Sequence, residues 1–203
     1  MFKPYFFDLL IGHSNIDLRE VELQLIKSAR EKYNFKSAEM LQDSIQLQDA
    51  FPIFKCVIKE EYTHISSALF NELEDIKNFI YLLDQTLDFN DINIISIELL
   101  GSFNLIESRE LFNLNFNHHE ISGFDFEISV KDEESNKTIL HFVKSDEGLH
   151  AVTRTYPQKN VSNLEEMFVY LEKKSNDLKD TMIKITENQS HNLIFSSIEV
   201  EQP

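Results

Sequence analysis

Between residues 92 and 155 the apolar side chains fall mostly at every second position, and on both flanks they recur at every third or fourth. Period two marks a strand with one buried face, and a period near 3.6 marks a helix with one buried stripe. A chain that carries the two patterns in separate blocks predicts an α+β fold, with helices layered on a mainly antiparallel sheet. The alternation is strongest in Phe124-Asp125-Phe126-Glu127-Ile128-Ser129-Val130. Residues 131–137 form a polar turn, 138–144 the returning strand, and Ser145-Asp146-Glu147-Gly148 turns the chain into 149–155. Such short connections predict a three-strand antiparallel meander, stopped by Tyr156-Pro157. Upstream, 92–100 reads as a strand ending at Gly101, with 103–106 continuing beyond a bend and a weaker segment at Leu111, Leu114 and Phe116.

The flanks read as helices. Leu18, Val21, Leu25, Ile26 and Ala29 place one over residues 14–36, capped by Asn15 or Asp17. Met40, Leu41, Ile45 and Leu47 predict a second, short helix over 38–47, ended by Phe51-Pro52, and 54–59 reads as a short strand from its β-branched residues. Over 66–87, Leu69, Leu73, Ile76, Ile80, Leu83 and Leu87 step by threes and fours, and Phe70, Phe79 and Tyr81 widen the stripe. That width suits a helix packed on a sheet rather than an exposed coiled-coil seam. Ser162-Asn163-Leu164-Glu165 has the form of a capping box, in which the Ser162 hydroxyl serves a free N–H and Glu165 reaches back. The long helix it opens carries Leu164, Met167, Phe168, Leu171, Leu178, Met182 and Ile185. Residues 191–200 predict a final strand with a bulge near Ser196-Ser197.

With 203 residues, 42% of them hydrophobic, and 17 Phe against no Trp, the chain can close one core without metals or disulfides. No repeat, linker or low-complexity block divides it, so one domain over 1–203 is expected. The single cysteine, Cys56, can form no internal disulfide; in Phe54-Lys55-Cys56-Val57-Ile58 it reads as a buried structural thiol. The apolar run at the N-terminus is too short for a leader and is broken by Asp8, so 5–11 reads as a strand. No stretch reaches the length of a membrane span, and a cytoplasmic location is expected.

Motifs for chemistry are missing from the sequence. Gly12, Gly101, Gly123 and Gly148 lie far apart, which excludes the Gly-rich phosphate cradles of the common nucleotide enzymes. Adjacent His118 and His119 point to opposite faces of an extended chain, and neither they nor His141 and His150 promise the three or four ligands of a zinc site. His141 and His150 read as cross-strand neighbours on the solvated face, with Phe142 and Leu149 buried. The segment Asp88-Phe89-Asn90-Asp91-Ile92-Asn93 lacks the ligand spacing of a calcium loop. No cofactor or metal is expected, and no catalytic residue is assigned.

Charge is the informative feature. Thirty-five acids against 19 bases leave a net charge of −16, which repels nucleic-acid phosphates and anionic membranes and favours a basic protein as partner. The acid is concentrated: residues 60–100 hold nine acids and one base, and 120–134 hold six acids and one base. The last helix mixes both signs, as a solvated helix does. The leading expectation is a non-enzymatic acidic binding protein, of the kind of an immunity protein or inhibitor that neutralises a basic, nuclease-type toxin. Its candidate contacts are Glu72, Asp75, Asp84, Asp88 and Asp91, with Tyr81 as an aromatic anchor. The alternatives are a secretion-type chaperone and an enzyme whose site is assembled only by folding.

Overall fold

Strand β1 (Lys3–Gly12) buries Phe7, Leu9 and Ile11 completely on one side and leaves Phe6, Asp8 and Leu10 on the other. This alternation organises the whole molecule. A computed structural model describes residues 2–69, 73–103, 124–131, 136–145 and 148–187. The elements after β1 are α1 (Leu18–Tyr33), β2 (Ser37–Leu41), β3 (Ser44–Gln48), β4 (Ile53–Ile58), β5 (Tyr62–Ala68), α2 (Glu74–Leu87) and β6 (Asn93–Phe103). They are followed by β7 (Phe124–Lys131), β8 (Lys137–Ser145), β9 (Gly148–Thr155), β10 (Lys159–Asn160) and α3 (Leu164–Glu187). The fold is α+β: three helices pack on a ten-strand sheet, ordered β2-β3-β4-β5-β1-β6-β9-β8-β7, with β10 beside β6. Every described pairing is antiparallel.

Two halves share a plan, with a four-strand meander in the first and a three-strand meander in the second. In the first, β1 is followed by a meander whose last strand, β5, returns to pair with β1; in the second, β6 is followed by a meander whose last strand, β9, returns to pair with β6. A helix follows each returning strand, α2 after β5 and α3 beyond β9. Because β1 and β6 run antiparallel at the centre, the likeness runs in opposite senses on the two sides of the seam between them. No sequence repeat accompanies it.

Helix α1 is capped by Asp17, whose carboxylate accepts from the Arg19 amide at 3.0 Å, and ends on left-handed Asn34. Helix α2 keeps the expected stripe from Ile76 through Ile80 and Leu83 to Leu87. It begins at Glu74, however, and 62–68 is strand instead of the start of a helix. Thr63, Ile65 and Ser67 are buried there at alternate positions, and the Ser67 hydroxyl donates to the Pro52 carbonyl, so the hydroxyls are served in extended backbone. The short helix expected over 38–47 is the β2–β3 hairpin. Ala38 faces Leu47 and Met40 faces Ile45 across a two-residue connection. The apolar positions alternate on each side of that turn, and a ten-residue window blends the two runs into a helical spacing.

Strand β6 runs through Gly101 without a break, because only hydrogen fits there: a Cβ would lie 2.5 Å from the Phe2 ring and 2.7 Å from the Lys3 carbonyl. The meander β7-β8-β9 stands where the alternation put it. The cap of α3 is displaced by one residue from the expected box. Asn163 Oδ1 accepts from the Glu166 amide at 2.9 Å, and the Glu166 carboxylate accepts from the Ser162 amide at 2.8 Å. The segment around Leu111, Leu114 and Phe116, the pair His118–His119 and the strand expected at 191–200 lie outside the described residues.

The main core packs α1, α2 and the first half of α3 on one face of β1 to β6. A second cluster, Phe2, Phe103, Leu140, Phe142, Leu149 and Ala151, lies under Met182 towards the end of α3. All three described helices therefore cover one sheet face, and among the described residues no element covers the opposite, open face.

Candidate functional site

The acidic positions around α2 divide by what they touch. Asp84 is engaged locally: its carboxylate accepts from the Phe89 amide at 3.0 Å and its carbonyl from the Asp88 amide. Those N–H groups offset the cost of a carboxylate at a helix C-terminus, where no basic residue lies in the last turn. Asp88 and Asp91 are exposed and left-handed, in the loop that leads into β6. Asp75 is half-buried, and its charge adds to burial in pushing the Tyr33 phenol up to about 12. Tyr81 donates to Glu165 and meets the Phe168 ring edge-on at 4.9 Å, so its ring joins α2 to α3. Glu72 lies outside the described residues.

The open sheet face brings together residues that the sequence leaves scattered. Register places Asp8 of β1 opposite Ser66 of β5 on one side and opposite Glu98 of β6 on the other, and Glu98 opposite Arg154 of β9. Four polar side chains thus form one row across the four central strands, about 14 Å long at the usual strand spacing. Asp8 accepts from the Ser66 hydroxyl at 2.6 Å and from His64 Nε2 at 2.7 Å. Glu98 holds the Arg154 guanidinium, which also donates to the Tyr156 hydroxyl at 3.3 Å. Asp8, His64, Glu98, Arg154 and Tyr156, together with Leu10, Tyr62 and Ser96, line a cavity of about 350 Å³ over the seam. The carboxylates are sheltered, with 24% of the Asp8 side chain and 16% of Glu98 exposed.

An aromatic strip adjoins this row. Phe6, two residues before Asp8, stacks on Phe54 at 6.0 Å, and Phe54 meets Phe51 edge-on at 6.5 Å. Phe51 is 62% exposed, Phe54 44% and Tyr5 41%. The Tyr5 hydroxyl is hydrogen-bonded to His150 at 3.1 Å. His141 and His150 share this face as diagonal neighbours, His141 donating to Asp125 at 2.5 Å, with Phe142 and Leu149 buried behind them. Cys56 is buried on the helix side, where desolvation pushes its thiol far above the ordinary range.

Among the described residues no group of three or more His, Cys, Asp or Glu is placed to hold a metal ion. None of the described helices is long and apolar enough to cross a membrane. The described residues thus define an α+β protein with one helix-covered and one open sheet face, the open one carrying a charged seam beside exposed aromatic rings. Compared with known protein families and with curated proteins, the chain matches none.

The seam residues left one trace in the sequence. Asp8 interrupts Phe6-Phe7 and Leu9-Leu10-Ile11, and Glu98 interrupts Ile95 to Leu100, each a single charge inside a strongly apolar strand. Only strand pairing shows that the two charges face each other.

Proposed function

We propose that this chain is a non-enzymatic binding protein that takes a basic protein partner on the open face of its sheet, in the manner of an immunity protein or inhibitor. One observation carries the reading. Exposed Phe51, Phe54 and Tyr5 lie on the same face as the sheltered carboxylates of the seam. Aromatic anchors around a charged centre are the usual make-up of a protein-binding hot spot. The overall charge of −16 steers a basic partner towards the molecule. Asp88 and Asp91 extend the acidic track, since their loop leads into β6 at the end of the seam, four residues or about 13 Å along β1 from Asp8.

The convergence of Asp8, His64, Glu98 and Arg154 in a cavity, with Ser66 bonded to Asp8, also favours a second reading, an enzyme assembled by folding. Binding is the better account. The Ser66 hydroxyl donates to Asp8, so the site lacks the serine–imidazole contact of an activated nucleophile.

Affinity capture with the tagged chain tests the reading. It is supported if a basic protein is retained at low salt, released at high salt, and lost when Phe54 is replaced by Ser. Retention unchanged by Phe54→Ser contradicts it, and a client held equally at high salt supports apolar holding, as by a chaperone, instead.

A further inference from the structure

Strand β2 has β3 on one side and, among the described residues, no strand on the other. A free edge is a template for pairing with another chain, and folds close it with proline, charge or a covering group. Ser37-Ala38-Glu39-Met40-Leu41 contains no proline and no lysine. The two-residue connection Gln42-Asp43 closes on Leu41 and Ser44, the hydrogen-bonded pair of such a turn. Bonded and non-bonded pairs alternate along an antiparallel ladder. Ser37 and Glu39 therefore bond to β3, and Ala38 and Met40 turn their backbone N–H and C=O groups to the free side. This pattern is self-complementary. A second copy of β2, antiparallel about Glu39, would set Ala38 against Met40 in both directions.

One of these outward groups is already taken. The Arg30 guanidinium, from the last turn of α1, donates to the Ala38 carbonyl at 3.0 Å. Only Asn34, Phe35 and Lys36 separate α1 from β2, and Phe35 is buried, so the helix end and the edge are held together. An added strand would run about 4.8 Å from β2, through the place the guanidinium fills. Exposed Glu39, whose carboxylate receives a long 3.4 Å bond from the Ser37 hydroxyl, would face its own copy at the centre of the pair. Like charges directly opposite destabilise a strand pair. We propose that β2 is a latent self-association edge fitted to a second copy of this chain, and that Arg30 is the autoinhibitory contact that closes it, with Glu39 in support.

Sedimentation and amide exchange of the full chain test the closed edge. In wild type the Ala38 and Met40 amides are expected to exchange at rates independent of protein concentration. The double variant Arg30→Ala/Glu39→Thr is expected to form a dimer reversibly as concentration rises. In that dimer the same two amides slow by about tenfold or more, because each gains a hydrogen bond. Alanine suits a helix and threonine a strand, so neither change works against the fold. Adding Met40→Pro removes an outward N–H and no bond to β3, and is expected to restore the monomer; association through misfolding would not be rescued this way. Concentration-dependent protection of these amides in wild type overturns the proposal. So does a double variant that forms no discrete dimer, or one whose dimer leaves the two amides unprotected or survives Met40→Pro.

Discussion

Asp8 and Glu98 are direct cross-strand partners at the centre of the sheet, two carboxylates face to face on neighbouring strands. Like charges in register destabilise a strand pair, and each carboxylate is answered from its outer side, Asp8 by His64 and Ser66 and Glu98 by Arg154. The seam therefore depends on the flanking strands for its electrostatic balance.

Removing Arg154 exposes that dependence. The Arg154→Ala variant is expected to lose about 1 kcal/mol, since its side chain is half-exposed and solvent screens the pair. Adding Glu98→Gln to it is expected to recover most of the loss. Urea unfolding of the two variants checks both values; equal stability of wild type and Arg154→Ala would count against an electrostatic role.

His13 sets a pH dependence. Its Nδ1–H donates to the Ser14 carbonyl at 2.9 Å, its Nε2 accepts from the Thr63 hydroxyl at 3.0 Å, and desolvation lowers its pKa below the ordinary histidine value. The unfolded chain then binds the proton more readily than the folded one. This contribution is fully present above the unfolded pKa and is lost as pH falls from there through the lowered folded value. Stability measured downward from pH 7 is expected to fall more steeply in wild type than in His13→Asn.

The cap of α3 separates two registers. Asn163→Ala is expected to cost about 1 kcal/mol, and Ser162→Ala less, because the Asn163 side chain serves the helix N–H while the Ser162 hydroxyl only adds to the backbone contact with exposed Glu166. Thermal unfolding of the pair gives the order, and the reverse order would restore Ser162 as the cap.

Gly101→Ala is expected to destabilise by about 1–3 kcal/mol, the usual cost of overpacking. Its Cβ would meet the Lys3 carbonyl as well as the Phe2 ring, and backbone yields less than a side chain. Trimming Phe2 in the same molecule is expected to relieve only part of the loss.

Much of this architecture was legible in the residues. The alternation of 124–155 set the meander, and the stripe from Ile76 to Leu87 set α2. The hairpin at 37–48 was hidden because its strands have five residues each, too few to show their period across a turn. Strand β5 was hidden because Thr63, Ser66 and Ser67 are buried polar residues served by His13, Asp8 and Pro52, all distant in the chain. The acidic run around α2 was visible as composition, but Tyr81 and Asp84 are engaged within the molecule. The seam was invisible for a different reason: Asp8, His64, Glu98 and Arg154 are neighbours only through sheet order, and β1 meets β5 and β6 at separations of 50 positions or more.

The central claim is that the open sheet face, and not the acidic end of α2 alone, receives the basic partner. Its most direct test is the affinity of the captured partner for the double variant Phe51→Ser/Phe54→Ser, set beside Asp88→Lys/Asp91→Lys. Loss of anchoring rings is expected to weaken binding by at least about tenfold at every salt concentration. Charge reversal at the rim is expected to act mainly on the association rate and to fade as salt rises. Full affinity in the aromatic double variant, with binding abolished by the reversed charges, would contradict the account and place the interface on α2.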